Sequence, residues 1–249
     1  MIKLYTQKIT LVSQIILALV LLSSFGVSSQ TFTDSNLPIV IITTDTDPLT
    51  GSPLAILDDP KVLATMKIIK RPDGSRNYLT DQNTTEYLNY NGRIGIELRG
   101  STSQELRKKP YGLTTLKADN TSNNNVELLG MPSENDWVLN GIAFDPSLIR
   151  DYLSYNLSRQ IGNYATRTAY CEVVINGEYK GLYILQEKIK AGSDRVNVLK
   201  IGTSDITSPN VTGGFITKAD KTTGGDPIAW SMPSYTTTVD FIHELPKPE

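Results

Sequence analysis

The chain reads as an α+β protein dominated by antiparallel strands, with few helices. Three observations predict this class. Short segments with a repeat of two recur, as in residues 93–98 (RIGIEL) and 171–175 (CEVVI), and that period marks strands with one buried face. Asn176-Gly177 separates two such runs, and a type I′ hairpin turn requires positive φ at both central positions. The clearest helix, at residues 145–162, has helical spacing between a start and a stop signal.

Of the 249 residues, 39% are hydrophobic and 20% charged, an ordinary composition for a folded domain with a sizeable core. The formal net charge of −2 gives no broad basic surface, so a nucleic-acid partner is not expected. One cysteine and one histidine, Cys171 and His243, exclude an internal disulfide and argue against a cysteine- or histidine-based zinc site and a Ser-His-Asp triad.

Residues 1–30 have the form of a secretory signal. Lys3 and Lys8 give a positive start, residues 11–22 are mostly apolar, and Val27-Ser28-Ser29 supplies small residues for cleavage. The uninterrupted apolar run, residues 15–22, is too short to span a membrane. A secreted or cell-surface protein with no stable membrane anchor is therefore expected, with the mature chain occupying residues 31–249.

Strands are expected at residues 37–43 and 61–70, the second followed by the turn Pro72-Asp73-Gly74. Residues 76–91 are polar and suit a loop, and residues 93–98 form the next strand. The turn RGSTSQ (99–104) is small and polar; its backbone N–H groups and hydroxyls suit phosphate oxygens, although neither GxxxxGK[ST] nor GxGxxG is present. Lys108-Lys109-Pro110 leads into a strand at residues 111–117, where a lysine facing the turn is a sensible phosphate partner. Residues 136–139 read as a short buried strand. Asp145 and Pro146 read as N-cap and first helical residue, with a mostly core-facing helix ending at Gly162.

The hairpin around Asn176-Gly177 leaves through the charged segment Glu187-Lys188-Ile189-Lys190, followed by Asp194-Arg195. A hairpin that ends in both charge signs is a good place for a site, although most exposed charge clusters at strand ends are only solvated loops. Further strands are expected at residues 197–201 and 213–220. The last ends in Asp220, with Asp226 and Asp240 following; two or three carboxylates beyond a strand end suit a magnesium ion held together with nucleotide phosphates.

Read together, RGSTSQ (99–104), KKPY (108–111), LLGMP (128–132), DWVLNG (136–141), DPSLIRDYL (145–153), INGEYKGLYILQEKI (175–189), DRVNV (194–198) and GGFITKAD (213–220) resemble, in this order and spacing, the CotH family of spore-coat-type atypical protein kinases. The resemblance covers about residues 37–220. It implies an atypical protein-kinase-like fold, binding of ATP with Mg²⁺ or Mn²⁺, and transfer of the γ-phosphoryl group to serine or threonine of a secreted or surface protein.

In that frame Arg99, Ser101, Gln104, Lys109, Glu187, Lys188 and Arg195 would contact the nucleotide, with Lys109 the phosphate-contacting lysine. Asp220 and Asp240 would be the catalytic and metal carboxylates. The resemblance also implies a longer chain, so that the domain at residues 31–249 would be incomplete at its C-terminal end. The kinase signatures HRD and DFG are absent. A second reading is a non-catalytic extracellular binding or scaffolding module, carbohydrate-associated forms included, that keeps the fold.

Overall fold

The computed structural model describes residues 31–220, 222 and 227–246. The chain divides into two units, Met1–Thr33 and Asp34–Glu249. The expected signal segment, residues 1–30, and Asp226 lie outside the described residues.

The second unit is sheet-rich α+β. Its first strands are β1 (Asp34–Ser35), β2 (Ile39–Thr44), β3 (Val62–Ile69), β4 (Asn77–Tyr78), β5 (Leu88–Leu98) and β6 (Tyr111–Leu116). Then come β7 (Val126–Leu128), β8 (Met131–Glu134), β9 (Asp136–Asn140), the helix α1 (Arg150–Gln160), β10 (Thr168–Ile175) and β11 (Glu178–Glu187). The described chain ends in β12 (Ile216–Ala219), β13 (Ile228–Pro233) and β14 (Thr238–Leu245).

Seven strands close into a barrel in the order β10-β11-β9-β6-β5-β3-β2. Neighbours are antiparallel except where β2 meets β10 in parallel, pairing Ile39 with Glu172 and Ile42 with Ile175. Closure removes the exposed strand edges that an open sheet would present. The period-two pattern explains the interior. Val40 and Ile42, Ile94 and Ile96, Tyr111 and Leu113, Trp137 and Leu139, Cys171 and Val173, and Tyr183 and Leu185 all point into one core. Each such side chain, fully buried, contributes about 1.5–3 kcal/mol.

The hairpin forms as expected: Asn176 and Gly177 have φ of 51° and 80°, between Ile175 and its partner Glu178. The Asn176 carboxamide oxygen also accepts the Thr44 N–H at 2.9 Å, so the turn residue ties its hairpin to the end of β2. A second turn of the same hand, Leu129-Gly130 at φ 54° and 83°, joins β7 to β8.

Four expectations need correction. The helix begins at Arg150, not Pro146. Leu148 sits at φ 59°, which interrupts a helix, and Asp145 acts from a distance: its carboxylate accepts the N–H of Arg150 at 2.7 Å and of Ser147 at 3.0 Å. The helix stops at Gly162 (φ 88°) as expected. Its apolar residues are not core: none is buried, and Ile149, Leu153, Leu157 and Ile161 form an exposed i, i+4 stripe, while Tyr152 stacks on Tyr170 of β10 at 4.8 Å. Residues 76–91 hold β4, a 3₁₀ turn and the start of β5 rather than loop alone. Residues 197–201 form no strand; the preceding chain turns back through a bridge between Ala191 and Val196.

β12, β14 and β13 make a separate three-stranded sheet, with Trp230 stacked on Phe241 at 4.8 Å. The mixed antiparallel sheet with few helices is thus present; its closure into a seven-stranded barrel is not what the alternation alone foretold.

Candidate functional site

The connection from β5 to β6 builds one wall of the site. Gly100 takes φ 96°, and a Cβ there would strike the Ser103 hydroxyl at 2.1 Å, so the turn requires glycine. The Gln104 carboxamide donates to the Gly100 carbonyl at 2.7 Å and to Asp58 at 2.6 Å. The Lys109 ammonium donates to the Gln104 carbonyl, and the Arg99 N–H to the Pro110 carbonyl at 3.1 Å. The expected site residues Gln104 and Lys109 are therefore used to fasten the loop, while the Arg99 and Ser101 side chains are exposed.

Behind this loop lies a cavity of about 260 Å³. Ser103, Leu106, Lys108 and Pro110 line one side; Asn140, Gly141, Asp145, Arg150 and Asp151 line the other. Gly141 permits the two sides to approach, since a Cβ there would lie 3.2 Å from the Lys108 carbonyl and 3.3 Å from that of Lys109. Asn140, at the end of β9, donates to the Asp151 carboxylate on α1 at 2.8 Å and accepts the Ile142 N–H at 3.0 Å. The Asp145 carboxyl is held down to about 2 by the Ser147 hydroxyl and by the N–H groups of Arg150 and Ser147, which outweigh its partial burial. Lys108 is half-buried, and its desolvation lowers the ammonium pKa. Lys109 faces elsewhere, lining a separate pocket with Tyr111, Asn176 and Lys180.

A second, strongly polar groove lies on the outward face of β3, β5, β6 and β9, lined by Lys61, Thr114, Asn123, Asn135, Asp136 and Lys188. Lys61 donates to Thr114 at 2.8 Å, and Thr114 to Asp136 at 2.8 Å. Lys190 bridges Asp136 and Glu134, both at 2.9 Å. Burial raises both carboxyl pKa values, but the Lys190 ammonium, with Thr114 at Asp136 and the Asn135 N–H at Glu134, pulls both below their usual range. Asp136 and Asn140 share one face of β9, about 13 Å apart along the strand, so the groove and the cavity lie on the same side of the sheet.

Glu187 and Arg195, both expected at the nucleotide, do meet, but as a buried ion pair. Arg195 donates to the Glu187 carboxylate, which also accepts the Arg167 guanidinium at 2.8 Å and the Arg167 N–H at 2.9 Å. Glu187 is 1% exposed and Arg195 5%, and the guanidinium lies 5.0 Å from the Trp137 ring centre. Lys188 is exposed at the polar groove.

Asp220 and Asp240 lie at one end of the small sheet. Ala219 pairs with Phe241, so Asp220 follows one partner and Asp240 precedes the other. Asp220 sits 3.4 Å from Lys218, and Asp240 accepts the Ser231 hydroxyl at 2.7 Å. Neither lines the cavity. Among the described residues no group of three or more His, Cys, Asp or Glu side chains is placed to hold a metal ion.

Lys108, Asn140, Asp151 and Asp136 were not among the expected site residues. Adjacent lysines ahead of a strand point in opposite directions, and composition does not say which faces the turn. Asn140 carried no signal; Asp151 could have been found as the acid in the first helical turn.

These features define a sheet-rich α+β protein with a cavity of mixed polar and apolar lining held between a strand-connecting loop and the start of a helix. The family model described as CotH kinase protein matches residues 96–237, more than half of the chain and all of the cavity's lining. The chain belongs to the CotH family. No curated protein matches it.

Proposed function

We propose that this protein is an exported atypical protein kinase that transfers the γ-phosphoryl group of ATP, with Mg²⁺ or Mn²⁺, to serine or threonine of a secreted or surface protein. The observation that carries the reading is the strand order. From β5 onward the barrel wall runs β5-β6-β9-β11-β10, with α1 inserted between β9 and β10. A kinase covers the phosphates with a loop and sets a lysine on a strand against a glutamate on a helix beside them, and this wall offers a loop, a strand and a helix in that order. In this reading the β5–β6 loop would cover the phosphates, and β9 and α1 would be the strand and helix whose side chains meet beside them.

Phosphoryl transfer requires positioning and charge neutralisation more than an unusual side chain. The cavity supplies cationic Lys108 and Arg150 and a Ser103 hydroxyl for phosphate oxygens. The polar groove at Asp136 and Lys188 is the place proposed for the base and ribose, since it opens on the same face of β9 as the cavity, about 13 Å along the strand. A bound divalent ion would neutralise phosphate charge; Asp220 and Asp240 are the carboxylates proposed for it, since magnesium takes one or two carboxylates together with phosphates and water.

One observation favours the rival reading of a non-catalytic binding module. Where a kinase pairs lysine with glutamate between this strand and helix, Asn140 meets Asp151, and a neutral amide brings no charge to a phosphate.

A thermal titration of the full chain with ATP and Mg²⁺ or Mn²⁺ tests the proposal, with transfer of label from γ-³²P-ATP to a protein acceptor. A ligand at about 100 times its dissociation constant stabilises by roughly 2.7 kcal/mol. Nucleotide-dependent stabilisation that needs the metal and is lost in Asp220→Ala, with label transfer, supports a kinase. Metal-independent or absent stabilisation favours the binding module.

A further inference from the structure

The two lysines ahead of β6 have separate tasks, and this division of labour deepens the nucleotide reading given above, on which it rests. Lys109 is committed to the loop: its ammonium holds the Gln104 carbonyl, and its own carbonyl accepts the Tyr183 hydroxyl at 3.0 Å. Lys108 is committed to nothing of opposite charge. It donates to the Leu182 carbonyl and lies over the face of the Tyr183 ring, 4.7 Å from its centre. An ammonium has three donors, and a carbonyl and a ring do not neutralise it.

Among the described residues no carboxylate forms an ion pair with Lys108. Glu172 acts on it only at longer range and is itself engaged by Tyr179 at 2.6 Å and Ser35 at 3.2 Å. A half-buried, unneutralised cation that lines a cavity is a place where an anion gains more than it would at the surface. Opposite it stands the Asn140–Asp151 brace, which brings a carboxylate and no positive charge, with the Asp145 carboxylate beside it. Of the two cations that line the cavity, Lys108 is the half-buried one and has no ion-pair partner among the described residues, whereas Arg150 is exposed and faces the Asp145 carboxylate at 3.6 Å.

We propose that Lys108 is the residue that contacts the phosphate chain of the nucleotide, and that Lys109 is a positioning residue that holds the covering loop. Tyr183 sets the distance between them, giving its ring to one and its hydroxyl to the backbone of the other.

The test measures the full chain with ATP, adenosine and inorganic tripolyphosphate in wild type, Lys108→Met, Lys108→Arg and Lys109→Met, by calorimetric titration. Methionine keeps the length of the stem against Tyr183 and removes the charge. Lys108→Met is expected to weaken ATP and tripolyphosphate at least tenfold and to leave adenosine unchanged, with Lys108→Arg recovering part of the loss. Lys109→Met is expected to weaken ATP less than threefold.

Equal ATP and tripolyphosphate binding by wild type and Lys108→Met would overturn the assignment while leaving the nucleotide reading intact. Tripolyphosphate binding that depends on Lys108 in a protein that ignores ATP would overturn the nucleotide reading and keep the anion site. Wild-type protein that binds neither would remove both. Acetylation footprinting of wild type makes the same distinction without a variant: tripolyphosphate should protect Lys108 more than Lys109, and equal or inverted protection counts against the proposal.

Discussion

The side-chain amide of Asn140 donates to the carboxylate of Asp151 at 2.8 Å, and this hydrogen bond joins the end of β9 to the first turn of α1. The helix buries none of its residues, so its position depends on a few such polar contacts and on the Tyr152–Tyr170 stack. Asn140→Ala should lower stability by about 1–2 kcal/mol, since it also frees the Ile142 N–H. In a double-mutant cycle with Asp151→Ala the coupling should be about 0.5–1.5 kcal/mol. Strict additivity in urea denaturation would show that the bond does not hold the helix.

Glu187 is the anion between two guanidinium groups, and removing it leaves Arg195 buried without its counter-charge. Glu187→Ala should cost about 3–5 kcal/mol, read as a lowered urea midpoint, whether or not nucleotide is present. A loss of nucleotide binding at unchanged stability would instead mark Glu187 as a ligand contact. The family resemblance implied the second role; its 1% exposure argues for the first.

Acid should weaken the polar groove in a defined window. The carboxyl pKa values of Asp136 and Glu134 are lowered on folding from ordinary values of 3.8 and 4.5. A depressed carboxyl stabilises the fold fully above its unfolded value, and that contribution is lost as the pH falls through the folded one. Stability should therefore be flat in this respect at pH 6 and fall below about pH 4.5. Lys190→Met, which removes the shared ammonium, should flatten that acid slope in denaturation curves; an unchanged slope would assign it to other carboxylates.

Cys171 is wholly buried and its thiol is pushed up to about 12 by desolvation. Thiolate is the reactive form, so labelling with a disulfide reagent at pH 8 should proceed only as fast as the barrel opens. Rapid labelling of folded protein would mean that β10 is exposed in solution.

Much of the barrel was legible because a strand's period of two is directly visible in residues such as Ile94, Ile96, Cys171 and Val173. The turn at Asn176-Gly177 was legible because two adjacent positive φ angles suit very few residue pairs. Closure was not, since the parallel pairing of β2 with β10 joins segments with no local signal for each other. The start of α1 was misplaced because Asp145 does cap it, but from five residues away across Leu148 at positive φ. The candidate site was harder. Its expected residues fall into four places, the loop at Arg99, Ser101, Gln104 and Lys109, the ion pair of Glu187 and Arg195, the polar groove at Lys188, and the small sheet at Asp220 and Asp240. The cavity is lined in part by Lys108, Asn140 and Asp151, whose importance depends on direction rather than residue type.

Parallel closure between Ile39–Thr44 and Thr168–Ile175 also has a consequence for synthesis. The two strands are separated by most of the barrel sequence, and pairings that distant are slow to find. A nascent chain that has not yet released Ile175 from the ribosome keeps β2 as an apolar edge with no neighbour on one side. The growing polypeptide should stay open, and available to chaperones, until the hairpin at Asn176 emerges and its carboxamide reaches Thr44.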